Sequence, residues 1–125
     1  MHLSAFTLIV PDYDTAITYY TGTMGFVLEQ DIDQGDKRWV RVAPSGGQTG
    51  FILAKAANPE QAAQIGNQGA GRVWLFLETD DFARDHALLR GAGVVFEEES
   101  RGEVYGTVAV FADMFGNRWD LIEYS

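Results

Sequence analysis

The residues that could do chemistry here are few. Glu78 and Asp120 are carboxylates at the ends or interiors of apolar runs, where they could hold a cation or move a proton, and Arg41 could grip an anion or stack on a ring. Glu78 and Arg41 could equally pair with each other. The chain has no cysteine, which removes disulfides, thiolate nucleophiles and thiolate metal sites and is compatible with a reducing cytoplasm. Of its two histidines, His2 precedes the first strand and His86 sits inside a helix, so both read as surface or helix-face residues rather than ligands or bases. No Ser-His-Asp set can be built from them, and the glycines form no GxGxxG or GxxxxGK[ST] phosphate loop.

The elements that must position these groups read in order. Leu3 to Val10 alternates as a strand; Pro11 stops it, and Asp12 is a helix N-cap. Tyr13, Ala16, Ile17, Tyr20 and Met24 then lay an apolar stripe on a helix ending near Gly22. Strands follow at Phe26 to Gln30, Arg38 to Ala43 and Gly50 to Ala54, giving βαβββ. Asn58-Pro59-Glu60-Gln61 begins a short helix with a capping-box glutamine, and Gly66 to Gly71 reads as a flexible joint. The pattern then repeats: a strand over Val73 to Glu78, a cap at Asp80 or Asp81, a stripe of Phe82, His86 and Leu89, and strands at Val94 to Glu97, Gly106 to Phe111 and Arg118 to Glu123. The last two form a hairpin through a Gly116-Asn117 turn. Glu97-Glu98-Glu99 reads as a solvated strand end.

At 125 residues the chain fits a single domain, 1–125, with modules at about 1–57 and 72–125 joined by 58–71. The net charge of -9 argues against nucleic acid and favours cationic or neutral ligands. No apolar run approaches the ~20 residues of a membrane span, and the N-terminus has no charged leader before an apolar stretch, so the expectation is a cytoplasmic protein with no membrane partner.

Three segments carry a family resemblance: Ile9-Val10-Pro11-Asp12 through Tyr19-Tyr20 to Met24-Gly25-Phe26; Thr79-Asp80-Asp81 to Gly91-Ala92-Gly93-Val94; and Phe111 to Leu121, with Asp113-Met114-Phe115-Gly116-Asn117 at its centre. Together they resemble the vicinal oxygen chelate superfamily of glyoxalases, extradiol dioxygenases and bleomycin- and fosfomycin-resistance proteins, with Met114 in place of the proline of its closing motif. The resemblance implies an α+β fold: two tandem βαβββ modules forming a curled mixed sheet around a cleft, with a homodimer as the expected assembly. It also implies four metal-ligand positions, which fall here on Ala5, about Leu53, Trp74 (or Val73) and Asp120. Only Asp120 can bind a metal.

No cofactor is therefore expected, a divalent metal entering only under an enzymatic alternative. Alternation places Ala5, Thr7 and Ile9 opposite Phe6, Leu8 and Val10, and Trp74, Phe76 and Glu78 opposite Leu75 and Leu77. The same rule turns Trp39, Arg41, Phe51, Leu53, Thr107, Phe111 and Asp120 toward the cleft, and Tyr105 could cover a ligand at its rim. The resulting expectation is a protein that binds a small, partly aromatic organic molecule without the family metal. The alternative is a glyoxalase-type lyase, isomerase or dioxygenase with an atypical metal site or with Glu78 and Asp120 as acid and base.

Overall fold

The computed structural model describes residues 1–47 and 49–125. Strand β1 (Ala5–Val10) buries Leu8 and Val10 and leaves Thr7 exposed, as alternation requires. Pro11 stops it, and Asp12 caps helix α1 (Tyr13–Thr18), accepting from the Thr15 hydroxyl at 2.7 Å and the Asp14 amide at 3.0 Å. Those two bonds hold the Asp12 carboxyl below its usual range. A π-helical turn, Tyr19–Thr23, continues α1 and buries Tyr20 completely.

Strands β2 (Val27–Asp33), β3 (Arg38–Ala43) and β4 (Gly50–Lys55) complete a sheet of order β1-β4-β3-β2, with β1 and β4 parallel and the other neighbours antiparallel. The helix side of this sheet packs Tyr20 on Phe26, with ring centroids 5.7 Å apart, and Phe26 on Phe51 at 6.3 Å. Helix α2 (Pro59–Ala62) begins at Asn58, whose side chain accepts from the Gln61 amide, while Gln61 reaches back to the Ala57 amide.

The second half repeats the pattern with β5 (Leu75–Glu78), α3 (Phe82–Gly91), β6 (Arg101–Glu103), β7 (Gly106–Ala112) and β8 (Arg118–Tyr124) in the order β5-β8-β7-β6. Asp81, not Asp80, caps α3 by accepting from the Arg84 amide, as Asp12 caps α1 in the first unit. The chain thus has an α+β fold of two tandem βαβββ modules, and its contacts separate Met1–Ile65 from Gly66–Ser125 as two compact units.

One detail corrects the sequence expectation. Val94 to Glu97 is not a regular strand: among the described residues its backbone meets β7 through a bridge at Phe96 and Phe111 and a bond from the Glu97 amide to the Val110 carbonyl. Beyond it, Glu97 and Glu98 turn to Arg118 and Arg101, and Arg101–Glu103 takes the edge position instead. The Gly66 to Gly71 segment falls within the second unit and makes contacts there. Arg118 donates to the Gly71 carbonyl at 2.9 Å, and a Cβ at Gly69 would stand 2.7 Å from that of Trp74. Gly66, at φ 76°, leaves no room for a Cβ against the Phe115 carbonyl, so its glycine serves a close approach.

Candidate functional site

In the second unit the register sets Phe76, Asp120 and Val110 side by side across β5, β8 and β7. Residues paired in this way share a face, so Glu78, Ile122 and Val108 lie with them and Leu75, Trp119 and Phe111 lie on the other side. The face combines an aromatic open to solvent, Phe76 at 60% exposure, with a carboxyl at only 6%, Asp120. Trp74, tied to β8 by its amide bond to the Arg118 carbonyl, is half-buried one alternation from Phe76, and Glu78 is exposed at the strand end.

Asp120 is the unusual group. Its Oδ1 is buried and accepts no hydrogen bond among the described residues. Burial pushes its pKa up; Arg101 and Arg118 pull it down through space and Glu98 adds to the rise, with burial the largest influence. Those arginines are committed elsewhere, Arg101 to Glu98 and Glu103 and Arg118 to Glu97. Tyr105, half-exposed beside β6 and β7, raises the Arg101 pKa together with Glu103 and Glu98.

The sign of the Asp120 effect yields a test. A carboxyl whose folded pKa lies above its unfolded value of 3.8 stabilises the fold below that value and loses the contribution as pH rises through the raised one. Asp120→Asn cannot ionise, so it should gain on the wild type as pH rises from about 4 through the raised value. Chemical denaturation of both proteins across that range checks it, and a difference independent of pH would contradict it.

In the first unit, Thr7, Ile52 and Arg41 share one face across β1, β4 and β3. Arg41 is not left to grip a free anion: its Nε donates to Glu29 at 2.7 Å and its Nη2 to the Ser4 carbonyl at 3.0 Å. Trp39, at 40% exposure, donates from Nε1 to Gln30 at 2.8 Å.

The structure corrects four expected orientations. Phe51 and Leu53 pair with Phe6 and Leu8, so they face α1 and are buried, and Ile52 takes the position beside Thr7 and Arg41. Phe111 is fully buried against Phe96 and Trp119, and Thr107 pairs with Glu123, whose carboxylate accepts from the Phe82 amide at the start of α3. Val110 therefore replaces Phe111 beside Asp120. A strand alternates with period two, so a single residue of register puts Asp120 and Phe111 on opposite faces. The pairing across the 113–117 turn was the signal that could have found it.

A divalent metal of the kind the resemblance implies does not fit this donor set. Ala5 and Trp74 offer no usable lone pair, Leu53 points toward the helix and its neighbour Ile52 is equally apolar, so Asp120 stands alone. Among the described residues no group of three or more His, Asp or Glu is placed to hold a metal. His2 is exposed, and His86 lies between the rings of Phe82 at 5.2 Å and Phe96 at 4.3 Å. No helix among the described residues is long and apolar enough to cross a membrane.

Comparison with known proteins agrees with this architecture. Residues 2–121 match the model of the Glyoxalase/Bleomycin resistance protein/Dioxygenase superfamily. An uncharacterized protein of Shewanella frigidimarina is 48% identical over 119 residues, 93% of this chain and 88% of that one. The crystal structure of UcmS2 is similar at a TM-score of 0.83 and 31% identity, covering 98% of this chain and 97% of its own. TnmS3, an antibiotic binding protein from Streptomyces sp. CB03234, matches at a TM-score of 0.80 and 30% identity, over 100% of this chain and 97% of its own.

Proposed function

The chain belongs to the glyoxalase/bleomycin resistance protein/dioxygenase superfamily, and from that premise we propose that it binds a small, partly aromatic organic molecule on the Asp120 face of its second unit, without a metal. The observation that carries this reading is the buried, unpartnered Oδ1 of Asp120 directly beside exposed Phe76. An unsatisfied buried acceptor is costly, and a ligand bearing an N–H or O–H would relieve it while its ring covers Phe76. The net charge of -9 favours a cationic donor, and the likeness to an antibiotic binding protein supports a small-molecule ligand.

Titration calorimetry and tryptophan fluorescence with bleomycin and a panel of aromatic amines, with matched compounds lacking the N–H, test the proposal. The donor-bearing members should bind, and Phe76→Ala and Asp120→Ala should each weaken them about tenfold, through loss of an aromatic contact in the first and of a charge-assisted hydrogen bond in the second. Unchanged affinity in both variants would exclude this face.

A catalytic reading draws on the same carboxyl, since burial raises its pKa and so moves it toward the range of a general acid. Under it Asp120 is the acid of a glyoxalase-type lyase or isomerase with Glu78 as its exposed partner, and Asp120→Ala abolishes turnover of a bound compound without abolishing its binding.

A further inference from the structure

In a chain with nine Lys and Arg against eighteen Asp and Glu, the cations that lack a partner stand out. Arg38, Arg41, Arg84, Arg101 and Arg118 all sit in ion pairs. Of the other four, Arg72 and Arg90 belong to the second unit, and the side chains of Lys37 and Lys55 make no ion pair or hydrogen bond among the described residues, Lys55 only acting through space on Asp12. Both line one hollow of about 470 Å³ in the first unit, with Tyr13, Arg38, Trp39 and Ile52. That volume is within the ~300–1,000 Å³ of small-molecule sites.

The walls are built in advance. Trp39 is held by its bond to Gln30 yet remains 40% exposed. The Tyr13 ring lies 5.2 Å from the Arg38 guanidinium carbon, and its hydroxyl accepts from the Arg38 amide at 3.3 Å. The carboxylates nearby are largely spoken for: Asp14 and Asp31 by Arg38, and Asp33 by the Gly35 amide. Asp36 is then the one carboxylate in this lining, against the unpaired side chains of Lys37 and Lys55. The adjoining hollow of about 530 Å³ shares Tyr13, Asp36, Lys37, Arg38 and Lys55 and adds Asp31 and Asp33, so the Trp39 side is the better place for an anion.

We infer that this hollow is a binding site for a small organic anion, its carboxylate or phosphate head held by Lys37 and Lys55 and its flat apolar body laid against Trp39. The inference is independent of the Asp120 face, being confined to the first unit.

The test uses the full chain and three probes with one ring system: 2-naphthoate, 2-naphthyl phosphate and neutral 2-naphthamide. Amide resonances of residues 37–39 and 52–57 should shift with an anion, and the tighter of the two anions identifies the head group. Naphthamide should bind roughly tenfold more weakly than the tighter anion, as should that anion to Lys37→Gln combined with Lys55→Gln. Added salt should weaken the anions alone. The proposal falls if naphthamide binds wild-type protein as tightly as the anions do, if the double variant binds them unchanged, or if neither moves those resonances at about 10 mM. The comparison of probes on the wild type stands whether or not the variant folds.

Discussion

Asp113→Ala should destabilise the protein by about 4 kcal/mol, the sum of several buried donors left without an acceptor. Asp113 is buried at 5% exposure, and its carboxylate collects the closing hairpin. Oδ1 accepts from the amides of Phe115 and Asn117, each at 3.0 Å; Oδ2 accepts from Asn117 Nδ2 at 3.1 Å and Trp119 Nε1 at 3.0 Å. Gly116, at φ 102°, closes the same turn by donating to the Asp113 carbonyl at 3.0 Å. The side chain thus fixes the offset between β7 and β8, and with it the placement of Asp120 opposite Val110. Asp113→Asn keeps one acceptor but turns an NH₂ toward other donors, so it should fall between wild type and alanine. Urea unfolding measures the series, and an alanine variant within about 0.5 kcal/mol of wild type would mean that the turn is held by other contacts.

Phe111→Ala should cost about 3–5 kcal/mol, the range for deleting a fully buried aromatic ring. Its ring stacks on Trp119 at 5.7 Å and leans on Phe96 at 5.3 Å, at the centre of an aromatic chain that continues through His86 to Phe82 on α3. Removing it leaves a cavity between α3 and its sheet. Phe76→Ala, where the ring is 60% exposed, should cost under about 0.5 kcal/mol. The pair separates two roles that sequence alone assigned to one cleft: Phe111 supports the fold, while Phe76 is available to a ligand. Equal costs for the two variants would refute the assignment of faces.

Much of this architecture is legible in the chain because it rests on local chemistry. Asp12 and Asn58 cap helices with side chains that reach amides two and three residues away. Leu8 and Val10, or Leu75 in the second unit, alternate with exposed residues because successive strand side chains point to opposite faces. The order βαβββ, repeated, follows from such signals. So does the poverty of metal donors, since Ala5, Leu53 and Trp74 cannot ligate in any conformation.

The tertiary structure decided what depends on partners distant in sequence. Whether Phe51 or Ile52 stands beside Thr7 turns on one residue of register between β1 and β4, and the local pattern of Gly50–Lys55 is apolar on both parities. Arg41 reads as a free anion grip until Glu29 and Ser4 are seen to hold it. Asp120 reads as the last of a ligand set; only the packed sheet shows its Oδ1 buried without a partner, because that isolation comes from burial and from Arg101 and Arg118 being bound to other acids. Residue types and short-range spacing thus determined the elements and the donors. Pairing and burial, which exist only once the sheets assemble, determined which of those donors are free to act.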